Sequence, residues 1–213
     1  MRAIGTNAIP TLLRLLNAED SKFKLQLLQL AEKQRVINLH PKRTEFRRFE
    51  AKFGLICLGP EAKSAVPVLM EIYREHRPGP YDDPRSIAEI FTAIGPAAAD
   101  AVPLLVQDTT NTDLLISCCA VQTLGEIHAR PELTVPTLTM SLHGPGESIR
   151  ALAAQGLAAF GGDARAAVPD LVIALSDPSS RVSAMAASAL KQINRDPSAA
   201  QSAADPFTFK YFQ

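Results

Sequence analysis

Tryptophan is absent from this sequence of 213 residues, and nine Phe and three Tyr are its only aromatic side chains. With so few rings there is no stacking platform of the kind that grips single-stranded nucleic acid. The three cysteines, Cys57, Cys118 and Cys119, are odd in number and include a vicinal pair. That argues against a structural disulfide framework and fits a reducing compartment, so a cytoplasmic location is expected. No uninterrupted apolar stretch is long enough to cross a bilayer, which predicts no membrane-spanning helix. Period-two alternation with hairpin turns is missing, which excludes a sheet-based fold. Excess charge is missing too, with 22 Lys and Arg against 22 Asp and Glu.

What the sequence does have is a recurring phrase. A small residue, a β-branched residue and a proline precede an apolar run. It occurs as Ala8-Ile9-Pro10, Ala65-Val66-Pro67, Ala101-Val102-Pro103, Thr134-Val135-Pro136 and Ala167-Val168-Pro169. After a longer first interval, the prolines from Pro67 to Pro169 recur at a nearly constant spacing, a period that signals stacked supersecondary units. Eight residues before four of them stands a helix-ending marker, Gly59, Gly95, His128 or Gly161, and Asn194 repeats it once more. Gly and Asn favour the left-handed conformation that ends helices. Four residues before each marker is a large apolar residue: Leu55, Phe91, Leu124, Leu157 or Leu190. Each unit therefore reads as first helix, stop, short turn, proline start and second helix.

The two helices show apolar faces at helical spacing. Leu12, Leu13 and Leu16 form one in a second helix, and Leu171, Val172 and Leu175 form another. Val182, Met185, Ala186, Ala189, Leu190 and Ile193 mark a first helix. Alanines such as Ala151, Ala153, Ala154 and Ala158 let neighbouring helices approach closely. The predicted fold is all-α: an α-solenoid, or superhelix, of stacked antiparallel helix pairs.

The repeats are placed at about 1–42, 43–77, 82–111, 112–144 and 146–177, with a terminal helix at 179–194 and a tail at 197–213. The opening Ala3-Ile4-Gly5 reads as the tail end of a first helix, hence an incomplete starting unit. The long first interval holds an extra amphipathic segment, Lys22 to His40, with Phe23, Leu25, Leu27, Leu28, Leu30 and Ala31. A turn at His40-Pro41 and a helix from Thr44 to Leu58 follow. Arg77-Pro78-Gly79-Pro80 reads as a loop. Pro206 to Gln213 holds four of the twelve aromatics. It reads as a cap on the last repeat or as an extended peptide that binds a partner.

These units resemble HEAT-type repeats of the short kind, also called phycobilisome-lyase-like repeats of bacterial proteins. The matching words include Phe91-Thr92-Ala93-Ile94-Gly95-Pro96, Leu124-Gly125-Glu126-Ile127, Phe160-Gly161-Gly162-Asp163 and Leu175-Ser176-Asp177-Pro178-Ser179-Ser180-Arg181-Val182. The resemblance covers about residues 4–195. It implies protein–protein scaffolding in most relatives, and bilin attachment or removal in some. DNA-repair glycosylases on HEAT-like repeats use a basic cleft with aromatic and acidic residues, which a tryptophan-free chain with an acidic C-terminal half matches poorly.

No residue pattern announces chemistry. His40, His76, His128 and His143 show no metal-ligand spacing, so no metal or other cofactor is expected. No serine sits in a nucleophile elbow. Cys118 and His128 are too far apart to act as a nucleophile–base couple. Asp82, Asp83 and Asp163 sit in turns and read as helix caps. The expectation is a non-enzymatic scaffold that binds a protein or peptide partner along the concave face lined by the second helices. That face includes Arg14, Val68, Glu71, Leu104, Gln107, Met140 and Ile173, at one and four residues past the prolines. The alternatives are nucleic-acid binding and a bilin-lyase-like activity. Residues 1–77 hold 14 Lys and Arg against 8 Asp and Glu. Their basic run supplies an anion-binding patch at Arg43, Arg47, Arg48 and Lys52. Oligomeric state is left open.

Overall fold

The computed structural model describes residues 5–18, 44–75 and 84–195. The expectations placed on Ala3-Ile4, Lys22–His40, Arg43, His76, residues 77–83 and the 197–213 tail fall outside those residues. Every element among the described residues is helical, with no strand. The fold is an α-solenoid of stacked helix pairs. Two compact units divide it, residues 1–94 and 95–213.

The first unit contains α1 (Ile9–Leu16), α2 (Thr44–Leu58), α3 (Val66–Arg74) and α4 (Pro84–Ile94). Helix α2 packs on α1 and on α4, and α3 packs on α4. Leu16, Leu55, Leu69, Tyr73, Ile87, Ile90 and Phe91 are fully buried in its core. The Tyr73 and Phe91 rings meet at 6.1 Å, within the range of tilted aromatic pairs.

The second unit contains α5 (Val102–Asp108), α6 (Leu114–Ile127), α7 (Pro131–Ser141), α8 (Glu147–Ala159), α9 (Val168–Ala174) and α10 (Ser180–Arg195). Here α8 lies between α6 and α10, while α7 packs on α5, α6 and α8. All five residues four places before the markers are buried, from Leu55 and Phe91 to Leu124, Leu157 and Leu190. A Cβ on Gly125 of α6 would stand 2.6 Å from the Gly156 Cα of α8. These two helices therefore touch backbone to backbone, closer than any other residue permits.

The stops behave as the sequence requires at four places. Gly59, Gly95, Gly161 and His128 have φ of 52°, 64°, 50° and 54°. Asn194 does not: α10 runs through it to Arg195, and its φ is not positive. The expected short turn is a seven-residue 3-10 helix in three units: Gly59–Ala65, Gly95–Ala101 and Gly161–Ala167. In each, two alanines are fully buried (Ala62 and Ala65, Ala98 and Ala101, Ala164 and Ala167).

Pro10, Pro67, Pro103 and Pro169 stand in the first turn of their helices, where a missing N–H costs nothing. Pro136 is a correction, since it lies inside α7, which starts one turn earlier at Pro131. The left-handed Arg130, φ 50°, sets up that earlier start.

Cys57 is exposed, while Cys118 and Cys119 are half-buried. One further expectation needs correcting, the apolar face ending at Leu175. Leu175 is 43% exposed because α9 ends at Ala174, leaving it past the helix. Two helical runs, Phe46–Arg74 and Pro84–Asp108, are long and apolar enough to cross a membrane by length and composition. Each is broken by a left-handed glycine, Gly59 or Gly95. The pieces are α-helices of 15 and 9 residues in one run and 11 and 7 in the other. A bilayer span needs about 20 continuous residues.

Candidate binding face

The second helices carry the residues picked out as a binding face. In the first unit, Arg14 on α1 and Val68 and Glu71 on α3 are exposed. Arg14 and Val68 help line a shallow depression with Leu13, Asn17 and Ala18. The proline at the start of α3 puts Val68 and Glu71, three residues apart, on one helical face.

In the second unit the face is mixed. Gln107 on α5 is exposed. Met140 on α7 and Ile173 on α9 are 72% and 65% exposed, the most open large apolar side chains described. Leu104 is a correction. It is 8% exposed, because α5 packs against both α6 and α7 and closes over that side chain. Next to this face, His143 Nε2 lies 2.7 Å from Asp170 Oδ1, so a polar pair joins the end of α7 to the start of α9.

The anion-binding patch changes more. Lys52 is 8% exposed. Its ammonium lies 2.6 Å from Glu89 Oε2 and donates to Ser86 Oγ at 3.5 Å. A buried lysine with a carboxylate partner is a structural tie between α2 and α4, not an open anion site. Arg48 donates from Nε to the Ala18 carbonyl at 2.8 Å, holding the chain just past α1. Arg47 is exposed on α2. The sequence showed four cations in a run, but not which helix each would face.

Several ties had no signature that sequence reasoning used. Arg150 on α8 forms a two-pronged contact with Asp177: Nε to Oδ2 at 2.7 Å and Nη2 to Oδ1 at 3.0 Å. Asp177 also accepts from the Ser179 N–H at 2.8 Å. The Arg150 hydrogen bond, and then that backbone donor, hold the Asp177 carboxyl below the usual aspartate range. Asp113 caps α6 by accepting from the Leu115 N–H at 2.8 Å, the role that sequence reading gave to Asp163. The 3-10 helix that holds Asp163 has no side-chain cap at its start. Burial pushes the Cys118 thiol up, away from the thiolate that a nucleophile needs. His128 ends α6 and sets its ring 4.5 Å from that of Phe160. No group of three His, Cys, Asp or Glu among the described residues could hold a metal ion.

Comparison with known proteins agrees with this geometry. Residues 135–205 match the sequence profile of the HEAT-repeat family. Residues 135–205 carry HEAT repeats. A crystal structure of an engineered protein has the same fold as this chain, with a TM-score of 0.55 and 22% identity. The match covers 88% of this chain and 79% of that one. No curated protein matches. Met140 and Ile173 stand at corresponding positions of α7 and α9, four residues past Pro136 and Pro169.

Proposed function

We propose that this HEAT-repeat chain is a non-catalytic scaffold that captures a protein or peptide partner on its second-helix face, centred on Met140 and Ile173. The observation that carries this reading is their exposure, 72% and 65%, at corresponding positions of α7 and α9. Two large apolar side chains left open in register make a repeating apolar contact that a partner can cover. The His143–Asp170 pair beside them supplies polar groups of the kind that rim an interface.

The test is affinity purification from cells of the source organism, with the wild-type chain and the Met140→Asp/Ile173→Asp chain as parallel baits. The reading expects at least one partner retained by the wild type and lost by the double variant, with helical circular dichroism unchanged. Identical retention by both baits removes this face from the function.

A further inference from the structure

Two second helices of the 95–213 unit build a patch from four side chains. Met140 and His143 are three residues apart at the end of α7, and Asp170 and Ile173 are three apart on α9. The His143 N–H donates to the Met140 carbonyl at 3.1 Å, which carries the helical turn past the end of α7. Residues at that spacing project from one side of a helix. The 2.7 Å contact between His143 Nε2 and Asp170 Oδ1 then joins the two pairs. The Asp170 carboxylate therefore lies one turn from Ile173 on its own helix and one contact away from the turn that carries Met140.

That carboxylate is not used up inside the chain. His143 and Asp170 keep 53% and 31% of their side chains exposed, and no Lys or Arg among the described residues pairs with Asp170. Asp177 is the contrast within the same unit. Both its oxygens are taken by Arg150, and only 9% of its side chain is exposed. One aspartate ties the stack together, and the other faces out.

Charge on these helices has one sign. Helices α5, α7 and α9 hold Asp108, Glu132 and Asp170 and no Lys or Arg. The cations just ahead of α7 and α9 are Arg130, tied to Glu132 at 3.2 Å, and half-buried Arg165. A nucleic acid or an anionic lipid surface would meet like charge here. A segment with an apolar side and a neighbouring cation complements both what is open and what lacks a cation.

Resting on the proposed capture at Met140 and Ile173, we infer that the captured segment is a basic amphipathic one from another protein. Its apolar side covers Met140 and Ile173, and a Lys or Arg beside that side pairs with Asp170. An unbranched thioether such as Met140 repacks readily around an incoming apolar surface. An amphipathic helix laid on such a face presents its anchors three and four residues apart, the spacing at which a cation can flank them.

The experiment uses the full chain and two labelled helix-patterned peptides, one built of leucine and lysine and its twin of leucine and glutamate. Fluorescence anisotropy is expected to show binding of the lysine peptide and none of its twin. Asp170→Asn keeps an oxygen for His143 and removes the charge. It is expected to weaken the lysine peptide by about fivefold and to flatten the salt dependence of binding. Met140→Ser with Ile173→Ser adds no charge and is expected to weaken it by at least about tenfold. Equal or tighter binding of the glutamate peptide, still lost with the two serines, would overturn the basic assignment and leave the apolar face standing. Unchanged affinity in Asp170→Asn would remove Asp170 from the contact and overturn the proposal. A lysine peptide held equally well by the chain with two serines would overturn it and count against the face as well. Failure of both peptides to bind would overturn the proposal alone, since the paired baits test the face separately.

Discussion

Two glycines in first helices look alike in sequence and are held quite differently. In the second unit, Gly125 of α6 meets Gly156 of α8 backbone to backbone, and a Cβ would come within 2.6 Å of a Cα. In the first unit, Gly54 of α2 meets the end of the Leu12 side chain, and a Cβ would come within 2.8 Å of Cδ2. A rigid backbone cannot yield to an added methyl, but a leucine tip can turn aside. What a helix glycine is worth depends on whether main chain or side chain stands opposite it.

The contrast can be broken from the largest effect downward. Leu138 of α7 is fully buried and its Cδ1 is the atom nearest a Cβ built on Gly156. Leu138→Ala is expected to cost about 2–5 kcal/mol in urea unfolding, with the loss spreading to neighbouring repeats. Gly125→Ala follows, at about 1–3 kcal/mol, because α6 and α8 must part to admit the methyl. Gly54→Ala is expected to be near neutral, since a helix-propensity gain of about 1 kcal/mol offsets the turn of Leu12. If Gly54→Ala and Gly125→Ala lower the urea midpoint equally, the distinction between the two contacts is wrong.

A pH series sharpens the second-unit side. The folded Asp177 carboxyl is depressed, so its stabilising contribution is complete above the unfolded value of about 3.9. It is lost as pH falls through the folded value. The stability gap between wild type and Asp177→Asn is therefore expected to be constant from neutral pH down to about 5 and to close below about 4. A gap unchanged at pH 3 would show that the Arg150 contact does not set it. The smallest effect on stability belongs to Met140→Asp with Ile173→Asp, within about 0.5 kcal/mol per site, because both side chains are already in water.

The repeat was readable because its markers are conformational necessities. A left-handed helix end at Gly59, Gly95 and Gly161, and a proline in the following helix's first turn, can be inferred from residue type alone. Asn194 shows the limit: asparagine tolerates the left-handed state but does not require it, and α10 simply continues. Pro136 misled for a related reason, since Pro131 had already opened that helix.

The candidate face was legible only in part. Helical periodicity assigned Met140, Ile173 and Leu104 to one face, yet how neighbouring helices close over it depends on packing, and Leu104 is covered. Lys52 went astray likewise, because a run of cations does not reveal that one of them turns inward to Glu89.

The three seven-residue 3-10 segments share one length and one pair of buried alanines. They act as a standard coupling. A gene that gains or loses a whole period at such a seam rejoins like to like, with the alanine seats already shaped and no junction to invent. Growth of the array by internal duplication is thus built into its joints, while an indel shorter than a period would throw every later helix out of phase.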